Sequence, residues 1–330
     1  MAEKEFWSSF SPPKLLKKFT TENTRKEKKQ ARLVLFSLLG LTILSIALAT
    51  AYREFPSLWE KINEPTIVIS QKYAPVSPTA TPTPKFERER QTVEELIKPL
   101  RGKYAIYFQD LESKDSFEIN SKEVLPAASL IKLPVLLTLY READAGRINL
   151  DTVYKLISAD KRDGAGALQY KPVGYEVTYR KMAELMGKQS DNTAFYMVAR
   201  ILGKEKIQET IDALEMRNTS FVEQTTTPED IGLFFRKLYR EMVVSEKGEE
   251  EILSFLTDTI WEDRIPAGVP KGIKVSHKIG TLIGVISDAG IVFGPKPFIL
   301  VIMSSEVNEI EAKKALPEIA KKIYEIYEQN

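Results

Sequence analysis

Apolar and polar residues follow two kinds of pattern beyond residue 90. Apolar spacing of three and four residues predicts helices, whereas short runs of apolar and β-branched residues bounded by turn residues predict strands. The predicted helices are 92–100, 129–145, 178–187, 192–202, 204–214, 228–241 and 309–327. The predicted strands are 103–110, 116–120, 273–279, 284–293 and 298–304. We therefore expect an α/β domain of the α+β type. One antiparallel five-stranded sheet comes from both chain ends, helices flank it, and an all-helical lobe is inserted.

A different pattern lies near the N-terminus, where Leu33–Tyr52 contains no charged residue. Twenty apolar residues can span a bilayer as a helix. The preceding segment is basic, so it is expected to stay in the cytoplasm and the rest of the chain to lie outside. A cleaved signal peptide is the alternative, because Ala49-Thr50-Ala51 has suitably spaced small residues. The length of the basic and apolar segments favours an uncleaved, single-pass anchor in the cell membrane.

These patterns divide the chain into four parts. Residues 1–32 form a basic cytoplasmic tail, and 33–52 form the transmembrane helix. Residues 53–90 form a stalk and a Pro/Thr-rich linker, which prolines keep extended between Ala74 and Lys85. The catalytic domain covers 91–330.

Composition narrows the chemistry that this domain can perform. A hydrophobic fraction of 43% is enough for a packed core, and 47 basic against 46 acidic residues give no reason to expect nucleic acid binding. The absence of cysteine excludes disulfides, thiol nucleophiles and cysteine metal sites. His277 is the single histidine, so a Ser-His-Asp triad could use only that imidazole. We expect no cofactor.

A lysine can replace histidine as the base of a serine nucleophile. Ser129 and Lys132 are three residues apart at the start of a predicted helix, and residues at that spacing lie on one face. A buried lysine can stay neutral and accept the hydroxyl proton. Ser11/Lys14 and Ser158/Lys161 have the same spacing, but only Ser129 has a small-residue approach and an apolar helix behind it. The alternative function of Ser129 is a helix N-cap.

Two further motifs follow in the chain, Ser190-Asp191-Asn192 and Lys278-Ile279-Gly280-Thr281. With Ser129-x-x-Lys132 they give the order Ser-x-x-Lys, Ser-Asp-Asn, Lys-x-Gly. In this the chain resembles the penicillin-recognising serine enzymes, and most closely their class A β-lactamase branch. The resemblance extends over about residues 92–327, which is essentially the whole predicted domain.

The resemblance implies catalytic functions for four side chains. Ser129 is the expected acylated nucleophile, and Lys132 the group that takes its proton. Ser190 is expected to relay a proton to the leaving amide nitrogen. Lys278 is expected to supply positive charge to the substrate carboxylate and to the lysine–serine network.

The resemblance also implies a set of substrate contacts. Asn192 is expected to hold the side-chain amide of the substrate, and Gly280 and Thr281 to line the binding site. The backbone N–H groups of Ser129 and Thr281 are the expected oxyanion hole. His277 directly precedes Lys278 on a predicted strand, so its side chain points to the opposite face and a structural function is expected.

Two departures from the family pattern concern the substrate carboxylate. Ile279 stands where the family usually has a hydroxyl residue, and isoleucine cannot donate a hydrogen bond. The strand after Lys278 carries Ser287-Asp288 where class A enzymes often have an arginine. The sequence therefore leaves Thr281 as the candidate hydroxyl and shows no arginine on that strand.

A third departure concerns release of the acyl group. Class A β-lactamases activate the hydrolytic water with a glutamate on an Ω-loop before the Thr-Thr-Thr-Pro segment. Here 217–224 leads directly into Thr225, so the loop is predicted to be shortened. Glu223 is the only carboxylate nearby, and it is predicted to be a solvent-exposed loop acid. We expect deacylation to be slow or to use another base.

The predicted function is a class A β-lactamase-like serine hydrolase acting on β-lactams or a related peptidoglycan-peptide amide, with a monomeric catalytic domain. A D-alanyl-D-alanine carboxypeptidase or an esterase is the alternative within the enzyme class. A penicillin-binding sensor would need only stable acylation and a cytoplasmic effector, for which the basic tail is short. A catalytically silent cell-wall binding module remains the third alternative.

Overall fold

The structure, a computed structural model, describes residues 86–329. The predicted transmembrane segment Leu33–Tyr52, the basic tail before it and most of the predicted stalk and linker lie outside these residues. Among the helices between Phe86 and Gln329, none has the length and apolar character needed to cross a membrane.

Nine strands and nine α-helices are formed by the described residues. The strands are β1 (Lys103–Asp110), β2 (Ser116–Ile119), β3 (Leu125–Pro126), β4 (Val153–Lys155), β5 (Glu176–Thr178), β6 (Thr225–Thr226), β7 (Lys274–Leu282), β8 (Val285–Phe293) and β9 (Phe298–Ser305). The helices are α1 (Glu87–Ile97), α2 (Lys132–Asp144), α3 (Tyr179–Lys188), α4 (Asn192–Leu202), α5 (Lys204–Ala213), α6 (Pro228–Arg240), α7 (Glu246–Phe255), α8 (Ile265–Gly268) and α9 (Glu309–Gln329).

The main sheet is antiparallel and has the strand order β2-β1-β9-β8-β7. It takes strands from both ends of the domain, with most of the helices between them, so the predicted mixed fold and five-stranded sheet are confirmed. Two small sheets, β3-β6 and β4-β5, were not predicted because strands of two or three residues show no periodicity.

Side chains along each strand point alternately to the two faces of the sheet, so the core has two parts. On β1, Ile106 and Phe108 face the cluster that includes α1 and α9, whereas Ala105 and Tyr107 face the helical lobe. Phe108 packs at ring-centroid distances of 5.2 Å against Phe86 and of 5.2 Å against Tyr327. Both faces of the sheet are thus covered, and β7 remains at one edge.

The boundaries that differ from the prediction include those at the start of the domain and at Ser129. Helix α1 begins at Glu87, so residues 87–90 of the predicted linker are helical. Arg90 pairs with Glu87 at 2.6 Å and with Glu94 at 2.5 Å, and such charged pairs support a helix without an apolar pattern. The predicted helix 129–145 is a 3₁₀ turn, Ala128–Ile131, followed by α2.

Candidate active site

The 3₁₀ turn places the first motif at the mouth of a cleft. Ala128 has a left-handed φ of 47°, and Ser129 and Lys132 follow it on the same side of the chain. The Nζ atom of Lys132 lies 3.1 Å from Oγ of Ser129. Lys132 is the first residue of α2 and is only 2% exposed, because α2 is apolar on nearly all sides. The spacing of Ser129 and Lys132 therefore produces the predicted contact.

Ser190 joins this pair to the third motif. Its hydroxyl lies 3.2 Å from Nζ of Lys132 and accepts a hydrogen bond of 2.9 Å from Nζ of Lys278. Its carbonyl oxygen also accepts from Lys132, at 2.5 Å. Ser190 has a φ of 54°, which turns the chain between α3 and α4 into the cleft. A continuous path of polar atoms therefore runs from Ser129 through Lys132 and Ser190 to Lys278.

The two lysines are buried close to each other, and both are less basic than a lysine in water. Burial lowers the pKa of Lys132 to about 7, against the opposing charge of Asp191. Burial, followed by the charge of Lys132, lowers the pKa of Lys278 well below its ordinary value. About half of the Lys132 amines are then neutral near pH 7. A neutral amine beside a serine hydroxyl can accept its proton.

Asn192, the last residue of the second motif, contacts both Lys132 and the 163–165 loop. Asn192 Oδ1 accepts a hydrogen bond of 2.8 Å from Lys132, and its Nδ2 donates to the carbonyl of Asp163 at 2.8 Å. Asp191 is fully buried and caps α4 through Ala194 N–H at 2.9 Å. Asn192 therefore links Lys132 to the 163–165 loop across the cleft.

Strand β7 forms the opposite wall of the cleft. The backbone N–H of His277 points away from the main sheet and donates a hydrogen bond to Leu256 O at 2.7 Å. Because alternate residues of a strand point their backbone groups to the same side, the N–H of Thr281 also faces this open edge. Gly280 allows the close approach of the 3₁₀ turn, because a Cβ there would lie 3.2 Å from Ala127 O and 3.3 Å from Ala128 Cβ.

A sequence model of the beta-lactamase enzyme family matches residues 88–327. The chain belongs to the beta-lactamase enzyme family. Its fold is that of a class A β-lactamase-like serine enzyme, as the three motifs predicted.

Solved structures with this fold include PBP-A, at 25% identity and a TM-score of 0.70 over 74% of this chain and 97% of that one. A PBP-A point mutant, solved as an acyl-enzyme complex with penicillin G, is 25% identical with a TM-score of 0.68, again over 74% and 97%. A β-lactamase from Sphaerobacter thermophilus DSM 20745 is 23% identical, with a TM-score of 0.70 over 74% and 98%. No curated protein sequence matches the chain.

In this beta-lactamase family member, an arginine that the sequence patterns did not indicate reaches the third motif. Arg264 lies just before α8, outside any predicted element, and is 3% exposed. It donates to Thr281 Oγ1 at 2.6 Å, and to the carbonyls of Gly280 at 3.0 Å and Ser287 at 2.5 Å. The sequence showed no arginine on β8, and the fold supplies one from the loop before β7. No local periodicity distinguishes Arg264, so only the tertiary contact identifies it.

The turn before β6 is short. Ser220 and Thr225 exchange backbone hydrogen bonds of 3.0 Å and 3.2 Å, which close residues 221–224 into a tight turn. Glu223 is exposed there, as predicted, while Gln224 lines the cleft. The only carboxylate among the described residues that line the cleft is Asp263, whose Oδ1 lies 3.9 Å from Nε of Arg264.

The cleft encloses about 640 Å³ and is lined by residues of all three motifs, including Ser129, Lys132, Ser190, Asn192, Ile279 and Thr281. Lys278 lies behind it with 1% exposure, and Gly280 contacts the 3₁₀ turn beside it. Ile279 lines the cleft without a side-chain hydrogen-bonding group, and its carbonyl accepts from Lys278 Nζ at 3.3 Å. The side chain of His277 points to the face of β7 opposite to that of Lys278, and His277 does not line the cleft. Between residues 86 and 329, no group of acidic and histidine side chains could hold a metal ion.

Proposed function

We propose that the protein is a serine hydrolase that is acylated on Ser129 by β-lactams or by related cell-wall peptide amides, and that releases the acyl group slowly. The observation that carries the proposal is the contact of 3.1 Å between Ser129 Oγ and a buried Lys132 amine whose pKa is about 7. Few structural environments give a lysine that is both neutral and in contact with a serine hydroxyl.

Acylation follows from the path of polar atoms. Lys132 accepts the Ser129 proton while Oγ attacks the carbonyl carbon of the amide. The N–H groups of Ser129 and Thr281 are the donors for the developing oxyanion. When the C–N bond breaks, the Ser190 hydroxyl donates its proton to the leaving nitrogen and regains one from the adjacent lysine amines, which lie within 3.2 Å and 2.9 Å. The enzyme then carries an ester on Ser129.

Residues at both ends of the cleft orient the substrate. Asn192 faces the cleft beside Lys132, where it holds the side-chain amide of the substrate. At the other end, Arg264 and Thr281 supply a guanidinium and a hydroxyl for a carboxylate. Arg264 thereby compensates for Ile279 at the position where the family usually has a hydroxyl residue.

Slow deacylation is proposed because, within residues 86–329, only Asp263 contributes a carboxylate to the lining of the cleft. Asp263 is at the carboxylate end of the cleft and is next to Arg264. The turn 221–224 brings Gln224 toward Ser129, and an amide cannot accept a proton from water. A PBP-A mutant that is 25% identical to this chain was solved as an acyl-enzyme complex with penicillin G. That structure supports acylation of this protein by penicillins.

The membrane anchor is part of this proposal and rests on the sequence of Leu33–Tyr52 alone. An extracytoplasmic domain would meet both β-lactams and peptidoglycan peptides. We propose that the catalytic domain is monomeric. Membrane fractionation and protease protection of the domain in intact cells test the orientation, and a protected domain would contradict it.

Exposure of the full chain to penicillin G followed by intact-mass spectrometry tests the acylation. We expect a persistent adduct on Ser129, and a burst with nitrocefin followed by a slow steady rate. Fast turnover with no trapped adduct would contradict slow deacylation. A D-alanyl-D-alanine carboxypeptidase is favoured as the second candidate by the short turn at 221–224. Release of D-alanine from a pentapeptide, without nitrocefin turnover, would establish it.

A further inference from the structure

The single histidine lies beneath the segment that carries Arg264. His277 is fully buried; its Nδ1 is 2.8 Å from Asp288 Oδ1 and its Nε2 is 3.2 Å from Glu262 Oε1. Thr259 Oγ1 lies 3.4 Å from the same Nε2. Since both ring nitrogens face carboxylate oxygens, both donate, and the ring is an imidazolium.

The two carboxylates that meet at His277 also hold the backbone on either side of Arg264. Glu262 Oε1 accepts from Thr259 N at 2.7 Å and from Thr259 Oγ1 at 2.9 Å. Asp288 Oδ2 accepts from the N–H of Ile265, the residue directly after Arg264, at 2.9 Å. The segment 259–265 is therefore attached to one buried ring at both of its ends.

The guanidinium itself is held by hydrogen bonds to β7 and β8 and by no carboxylate in hydrogen-bond contact. Arg264 donates to two carbonyls and to the Thr281 hydroxyl, and the nearest carboxylate, Asp263, is 3.9 Å away and 57% exposed. Its Nε is buried without a hydrogen-bond partner. The direction of this side chain consequently depends on where the backbone of 259–265 is held.

We propose that His277 is a positioning residue for Arg264: it holds Asp288 and Glu262 together, and through them it places the guanidinium at the carboxylate end of the cleft. This inference rests on the proposed function, in which Arg264 receives the substrate carboxylate. The residue acts on specificity without touching substrate.

The surroundings of His277 favour the charged ring. Burial opposes the charge, but Asp288 and then Glu262 outweigh it and raise the pKa of His277 to about 9. Gly290 lies opposite His277 on β8, where a Cβ would be 2.3 Å from Ser276 O and 2.7 Å from His277 Cβ, so only glycine lets β8 approach β7 this closely beside the ring. The neighbouring cation Lys278 is on the other face of β7.

The experiment compares two probes that differ only in the carboxylate, penicillin G and its methyl ester, in the full chain. His277→Asn should slow acylation by the free acid about 10- to 100-fold relative to the ester, as expected for hydrogen bonds to a charged group. Arg264→Ala should show the same selective loss, and the double variant should lose little more. Ser276→Ala is the matched control, because Ser276 is buried on the same strand and bonds Thr257 instead of segment 259–265.

Equal losses on both probes, no loss, or additive losses in the double variant would overturn the inference. If His277→Asn does not fold, Glu262→Gln provides the test from the other end, since that side chain is 43% exposed. It should show a smaller loss with the same selectivity, and equal effects on both probes would again overturn the inference.

A second measurement separates this inference from the proposed function. Hydrogen exchange of the buried Arg264 Nε–H, followed by NMR, should be slow in the wild type and faster in His277→Asn, but unchanged in Ser276→Ala. If the wild-type protein forms no adduct with penicillin G, the proposed function is contradicted. The exchange rate of the Arg264 Nε–H then still tests whether His277 positions Arg264. Unchanged exchange in His277→Asn would show that the ring does not place Arg264.

Discussion

Two clusters of buried basic groups lie on opposite faces of β7, and the pKa values of Lys132 and His277 shift in opposite directions. In the cleft, Lys132 is 2% exposed and its pKa falls to about 7. Behind the strand, His277 is 0% exposed and its pKa rises to about 9. Burial disfavours the charge in both places, so the neighbours decide the outcome.

The neighbours differ in one respect, which is the placement of carboxylates. His277 has Asp288 and Glu262 in direct contact. The acid closest to Lys132, Asp191, has its two oxygens occupied by the N–H groups of Ala194 and Leu168, at 2.9 Å and 2.9 Å. The lysine therefore remains unpaired, which suits a base, and the histidine is paired, which suits a structural cation.

The most severe way to break this arrangement is to remove the base. Lys132→Ala should reduce the acylation rate about 10³-fold or more, since a positioned general base contributes roughly 10²–10⁴-fold. Stopped-flow acylation with a fluorescent penicillin measures the effect. Lys161→Ala is the control, because it changes a Ser-x-x-Lys pair outside the cleft and should leave the rate unchanged. A loss below tenfold in Lys132→Ala would mean that another group takes the proton.

A smaller effect is expected when the hydroxyl between the two lysines is removed. Ser190→Ala should slow acylation about 10²-fold, at the lower limit for assisted proton transfer, because the leaving nitrogen loses its proton donor. The same rate measurement on Ser158→Ala, an exposed serine of the other pair, should match the wild type. A wild-type rate in Ser190→Ala would remove Ser190 from the proposed path.

The pH dependence of acylation tests the low pKa of Lys132 directly. Only the neutral amine accepts the Ser129 proton, so the rate should rise about tenfold per pH unit below pH 7 and level off above it. Acylation rates between pH 5.5 and 8, in one buffer series at constant ionic strength, give the midpoint. A rate that still rises about tenfold per pH unit at pH 8 would contradict the low pKa of Lys132.

The smallest predicted effect concerns stability on the other face of β7. The folded-state pKa of His277 lies above its ordinary value of 6.5, so its stabilisation is complete below pH 6.5 and is lost as pH rises through 9. The free energy of unfolding of the wild type should exceed that of His277→Asn by about 2 kcal/mol more at pH 6 than at pH 8. Urea unfolding of both proteins at the two values measures this difference. A difference that is independent of pH would mean that the ring is neutral.

Many helices and strands could be predicted from periodicity. Helix Asn192–Leu202 and strand Lys103–Asp110 have the predicted bounds, because capping residues, a turn and an apolar face act within a few neighbouring positions. Helix α1 was predicted to start too late, and α7 was missed, because Glu246–Phe255 is largely charged and has few apolar positions. Local charge pairs and distant packing stabilise such helices without leaving a clear period.

The motifs themselves are a property of the sequence: Ser129 with Lys132, Ser190 with Asn192, and Lys278 with Gly280 and Thr281 carry the resemblance to the penicillin-recognising enzymes. Spacing within a motif sets a helical or strand face, so the contact of Ser129 with Lys132 followed from sequence alone. Only the tertiary structure brought Arg264 to Thr281 and His277 between Asp288 and Glu262. It also set the opposite pKa shifts of Lys132 and His277, because burial and charge depend on residues that are far apart in the chain and meet only when the sheet and its covering loops have formed.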